Sequence, residues 1–101
     1  MTTDKLIALL ARCKCGVHLS VNEHRDGYET IEQALENLDG FDVPPDVRAK
    51  IIETDTLVDL HFYPDTPVGF YKILHYDIDA ALDKALDAVG INPAELARKL
   101  G

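Results

Sequence analysis

Cys13, Cys15, His18 and His24 lie within twelve residues of one another, and cysteine and histidine are the side chains that zinc takes as ligands. Structural zinc sites space their cysteines by two to four residues, whereas only Lys14 separates these two. Period-two alternation from Cys15 to Val21 also sets Cys15 and His18 on opposite faces of one strand. They cannot share an ion unless that strand breaks. In the plainer interpretation Cys13 ends an apolar helix face and Cys15 starts an apolar strand face, both as small hydrophobes. No metal and no cofactor is then expected.

A second constellation depends on a sheet. A polar sheet face with His18 and Ser20 from one strand would also carry Asp59, His61 and Tyr63 from the next, with Tyr71 and His75 as candidates from a third. Histidine beside a carboxylate is the raw material of general acid–base chemistry and of metal binding, so His18, Asp59 and His61 are the candidate catalytic residues. Half-buried strands produce the same spacing by default. Nucleophile signatures are missing: Ser20 is the only serine, no Gly-x-Ser-x-Gly occurs, and no glycine-rich loop precedes a helix. Asp77, Asp79, Asp83 and Asp87 read as a helix cap region and the exposed stripe that follows it.

The third feature is electrostatic. Residues 26–59 hold ten acids and two bases, Arg48 and Lys50, and so carry the whole net charge of −8. The rest of the chain balances to zero. Such a field repels phosphate and draws basic surfaces, so direct binding to nucleic acid is not expected. Glu29, Glu32, Glu36, Asp39, Asp42 and Asp46 are the candidate partner-binding residues. The plainer interpretation of the same acids is that they keep a small protein soluble.

These groups have to be positioned by a chain of 101 residues, 47% hydrophobic and 28% charged, which is the size and balance of one folded domain spanning 1–101. No apolar run is long enough to cross a bilayer, and the first residues lack the features of a secretory signal. Two cysteines one residue apart suggest no disulfide framework. A reduced, cytoplasmic setting without membrane contact is expected.

Helical spacing of Leu6, Leu9, Leu10 and Cys13 predicts a first helix, with Thr3 as its cap. Cys15–Val21 follows as a strand, and Arg25-Asp26-Gly27 is a turn. A helix over 28–38 would bury Tyr28, Ile31, Leu35 and Leu38 and end at Gly40. Pro44-Pro45 opens another over 46–54. Leu57–Tyr63 and Val68–Tyr76 form a hairpin joined by a short proline-bearing link. A fourth helix caps at Asp77 or Asp79 and ends at Gly90, and Asn92-Pro93-Ala94-Glu95 starts a terminal one.

The order α-β-α-α-β-β-α-α has no regular βαβ alternation, which predicts an α+β fold: a three-stranded antiparallel sheet packed with four to five helices. Leu19, Leu60 and Leu86 are expected in its core. Val68–Tyr76 is apolar on both faces, so it is either covered by helices on both sides or left as a binding surface.

The expected function is a small acidic protein-interaction module that docks a basic protein through helices in 26–59, anchored by aromatic residues of the hairpin. One concrete form is a competitor of nucleic acid for a nucleic-acid-binding protein. The alternatives are an enzyme or metal-binding protein using the sheet-face histidines and Asp59, and a structural subunit that forms a homo-oligomer through the third strand.

Overall fold

The computed structural model describes residues 2–38, 43–65, 67 and 69–100. Within them run α1 (Thr2–Leu10), β1 (Cys13–Val21), α2 (Ile31–Glu36), α3 (Pro45–Thr54), β2 (Val58–Pro64), β3 (Tyr71–His75), α4 (Ile78–Ala88) and α5 (Pro93–Leu100). The three strands form one antiparallel sheet in the order β1-β2-β3. The fold is α+β, with the expected element order and the expected β2–β3 hairpin.

Alternation along the central strand β2 divides the protein. Val58, Leu60 and Phe62 point to one side and join Leu9 of α1 with Ala81, Leu82, Ala85 and Leu86 of α4 in a fully buried cluster. Asp59 and His61 point to the other side. There Leu74 of β3 meets Leu57, Ile31 of α2, and Val47 and Ile51 of α3 in a second cluster. Helices therefore cover both faces of β3 around Leu74. That accounts for a strand apolar on both sides, as in sheets sandwiched between helices.

Several boundaries differ from expectation, each for a local reason. The second helix begins at Ile31 rather than 28, because Thr30 caps it: Thr30 Oγ1 accepts from Gln33 N–H at 3.2 Å, and Gln33 Oε1 accepts from Glu29 N–H at 3.1 Å. This Thr-x-x-Gln arrangement is close to a capping box, and it leaves Tyr28 outside the helix and exposed. Thr3 lies inside α1 rather than capping it. The first strand starts at Cys13, but its pairing shifts between Cys13 and Val17 around Gly16, whose φ of 100° suits glycine. This irregularity interrupts the alternation, so Cys15 is exposed instead of facing the core. Leu19 is half-buried rather than buried, being on an edge strand. The third strand is shorter than Val68–Tyr76. Gly40 and Val68 lie outside the described residues. The later caps match expectation: Asp77 Oδ2 accepts from Ala80 N–H at 3.2 Å, and Asn92 Oδ1 accepts from Ala94 and Glu95 N–H at 2.9 and 3.3 Å.

Candidate functional site

The sheet face opposite α1 and α4 is where the candidate residues meet. Antiparallel register sets His18 directly across from His61, and Ser20 directly across from Asp59. His61 in turn faces Lys72 on β3. The alternation that suggested His18, Asp59 and His61 as one group therefore holds in space: the His18 and His61 rings are 5.8 Å apart, and His61 Nε2 is 2.7 Å from Asp59 Oδ1. That last separation fits an ion pair, although its angle does not fit a hydrogen bond.

His24 is the member of this group that alternation could not supply. It sits in the turn after β1, and its Nε2 donates to Asp59 Oδ2, since a carboxylate only accepts. The turn is pinned on both sides of it. Asn22, at φ 60°, donates its N–H to the Leu57 carbonyl at 2.8 Å, and its Oδ1 accepts from Leu57 N–H at 2.7 Å. Arg25 Nε donates to Asp55 Oδ1 at 3.0 Å, at the left-handed residue that ends α3. The sequence signal was an asparagine, which tolerates the left-handed region, just ahead of Arg25-Asp26-Gly27.

Asp59 is thus a carboxylate with a side chain only 2% exposed, held between two imidazoles. Ser20 Oγ beside it is buried without a hydrogen-bond partner among the described residues. His18 is more open and has Glu23 Oε2 at 3.5 Å from its Nε2. Toward the hairpin end the face becomes aromatic. Phe70 lies edge-on to His61 at 5.8 Å and against Tyr63 at 4.7 Å, and both Phe70 and Tyr63 are exposed. Lys72 Nζ stands 5.3 Å from the Phe70 ring centre, in cation–π range. Tyr71 and His75 belong to the opposite face, across from Phe62 and Val58. His75 is buried, its Nδ1 accepts from Asp77 N–H at 3.2 Å, and burial together with nearby Lys84 holds its pKa below the ordinary 6.5.

No protein-family model, curated protein or solved structure matches this chain.

The metal candidates are dispersed. Cys13 is half-buried against the helix-side cluster, in a cavity of about 340 Å³ that it shares with Arg12, Lys14 and Asp65. Burial pushes its thiol pKa up, away from the thiolate that a metal needs. Cys15 faces solvent, His18 is directed to Glu23, and His24 to Asp59. Among the described residues, no three His, Cys, Asp or Glu side chains are arranged to hold an ion.

Of the acidic candidates, Glu32 and Glu36 lie on α2, Asp46 lies on α3, and Glu29 precedes the cap of α2. Glu29, Glu32, Glu36 and Asp46 are all exposed, while Asp39 and Asp42 lie outside the described residues. Some of the field is balanced locally: Arg48 approaches Glu32 at 3.9 Å, and Lys50 approaches Glu53 at 3.5 Å. Asp26, Glu29, Glu36 and Asp46 have no base within ion-pair distance among the described residues. No helix in the described chain is long and apolar enough to cross a membrane.

Proposed function

We propose that this chain is a small protein-interaction module that docks a basic protein. The observation that carries this reading is the joint placement of unbalanced acids and exposed aromatics on one side of the sheet. α2 and α3 cover the Leu74 end of that side and present Glu36 and Asp46 outward, with exposed Glu29 just ahead of the α2 cap. The open end presents Tyr63 and Phe70, about 13 Å along β2 from Asp59 at ~3.3 Å per residue. Acids of this kind raise the encounter rate with a basic surface, and a clustered aromatic pair supplies the apolar anchor that charge alone lacks. The His24–Asp59 contact belongs to the same design, because it ties the turn leading into α2 to the sheet. The partner's chemistry is that of a lysine- and arginine-rich surface, the kind that also holds nucleic acid, so this module would compete with nucleic acid for it. A cytoplasmic setting suits such a role.

The test is capture of partners from a lysate by the native protein and by a Glu29→Lys, Glu32→Lys, Glu36→Lys variant, at low and high salt. A basic protein retained at low salt, lost at high salt and lost in the variant is the expected result, because exposed charges are screened over about 8–10 Å at physiological ionic strength. Recovery of the same partners in the same amounts by both proteins would refute the docking role.

One observation favours a second reading, acid–base chemistry at His18, Asp59 and His61. Ser20 Oγ is buried and unsatisfied beside a carboxylate that two imidazoles contact. Amide chemical-shift mapping with a library of small polar molecules tests it. Shifts centred on Ser20, His18 and His61 support a binding site there, and shifts scattered over the surface oppose it.

A further inference from the structure

We propose that the outer edge of β1, with the flank of α1 above it, is a homodimer interface. In this arrangement two copies pair β1 with β1 antiparallel about a twofold axis near Leu19, which continues the sheet to six strands. The interface is distinct from the docking face and does not depend on it.

Both outer strands of the sheet are edges, and they are protected unequally. β3 has five residues, carries Lys72, and is overlaid by helices on both faces near Leu74. Short length, lysine and cover are the usual devices that keep an edge from pairing. β1 has nine residues and pairs only with β2. Its first half is guarded by Lys14 and by the irregularity at Gly16, whereas Val17–Val21 runs in regular register and holds no charged residue apart from the titratable His18.

The helix above this edge is also unpartnered on its outer side. α1 packs on β1, α4 and α5, the start of α5 lying beside Lys5 and Asp83 on the α4 side, and α4 packs on β2 and β3, so α1 lies at the β1 margin of the helix layer. Lys5 marks the side of α1 that faces α4, through ion pairs to Asp79 and Asp83 at 3.0 and 2.6 Å. Ile7 and Leu10 lie around the helix from Lys5, and Ile7 is 59% exposed. Val21, at the far end of β1 beyond the reach of this short helix, is 45% exposed. An apolar helix flank above an unguarded strand is self-complementary under a twofold rotation, the commonest symmetry of soluble oligomers.

Charge favours a second copy over a basic partner as the occupant, because Val17–Val21 offers no acid to draw a basic surface. The net charge of −8 lies in residues 26–59, and α3 packs on β3 while neither α2 nor α3 contacts β1. Pairing through β1 therefore keeps Glu32, Glu36, Asp46 and Glu53 of those two helices away from the joint, with Asp26 and Asp59 nearer to it. At ~4.8 Å per strand the two β3 strands would be about 24 Å apart, about three Debye lengths at physiological salt. Pairing through β3 would bring the acidic helices together instead. Near the proposed axis, Leu19 meets Leu19 and His18 meets Ser20, so no like charges are opposed.

Sedimentation or light scattering on the full chain, up to about 1 mM, tests the proposal together with an Ile7→Glu, Leu10→Glu variant and a Phe70→Glu control. A concentration-dependent dimer is expected, with a dissociation constant raised at least tenfold by Ile7→Glu, Leu10→Glu and unchanged by Phe70→Glu. Circular dichroism and thermal unfolding confirm that the exposed substitutions leave the fold intact. If they do not, Val21→Lys replaces them, with the same tenfold loss expected. A native protein that stays monomeric throughout overturns the proposal. So do assembly beyond the dimer, or a dimer that Phe70→Glu disrupts and Ile7→Glu, Leu10→Glu does not.

Discussion

Replacing Asp59 by alanine is the most direct test of what the buried carboxylate does. Its side chain is almost fully buried, and it is touched by His24 and His61, whose side chains are 31% and 25% exposed. A hydrogen bond to a charged group contributes about 1.5–3 kcal/mol, and only the His24 contact has hydrogen-bond geometry. The His61 contact adds electrostatic attraction. Against this, removing the carboxylate removes its desolvation penalty, and both imidazoles can recover some hydration. The net expected loss is about 2–4 kcal/mol, between a surface pair and a fully buried one. For a domain of this size that corresponds to a fall in Tm of about 10–20 °C. Thermal and urea unfolding give the number. A double-mutant cycle with His24→Ala isolates the pair, with a coupling of about 0.5–3 kcal/mol expected. If Asp59→Ala is as stable as the native protein or more so, the clamp argument fails. The carboxylate is then held against stability, and the acid–base reading gains accordingly.

Leu60→Ala, at a fully buried position on β2, should cost about 2–5 kcal/mol, read by urea unfolding. A negligible change would mean that the helix-side cluster is not the main core. His75 has a folded pKa below its ordinary value, so the unfolded chain binds more protons in the window between the two. Its contribution is therefore complete above about pH 6.5 and is lost as pH falls through the folded pKa. His75→Gln should flatten that part of the stability–pH curve, and an unchanged slope would refute the assignment. Toward a thiol reagent at neutral pH, Cys15 should react first and half-buried Cys13 at least about tenfold more slowly, because the thiolate is the reactive form. Equal rates by mass spectrometry would contradict the burial of Cys13.

Element order and strand faces were legible because they rest on periodicity, and periodicity reports which side of an element is dry. The His18–His61 and Ser20–Asp59 pairs followed from the same alternation once the strands were adjacent. What failed were features set by local backbone geometry. Gly16 broke the alternation that placed Cys15 inward, and the Thr30 cap moved the start of α2 past Tyr28. Neither changes the hydrophobic pattern. His24 was visible only as a metal candidate, because a turn residue has no face, and its contact with Asp59 exists only after β1 and β2 have paired.

That pairing has a bearing on the order in which the chain acquires structure. Asn22 and Leu57, which close the end of the β1–β2 ladder, are 35 positions apart, as are His24 and Asp59. The β2–β3 pair closes through a short link and needs little chain entropy. Hairpins of that kind form in microseconds, whereas contacts distant in sequence must wait for loop closure. The β2–β3 hairpin with α4 is therefore the natural nucleus, and α1–β1 is the unit that arrives last. Until it does, the inner edge of β2 is bare, and the nascent chain exposes an unprotected strand on each side of that gap. The interval before β1 docks is thus the chain's period of greatest exposure to aggregation, and the proline-stiffened link that hastens the hairpin does nothing to shorten it.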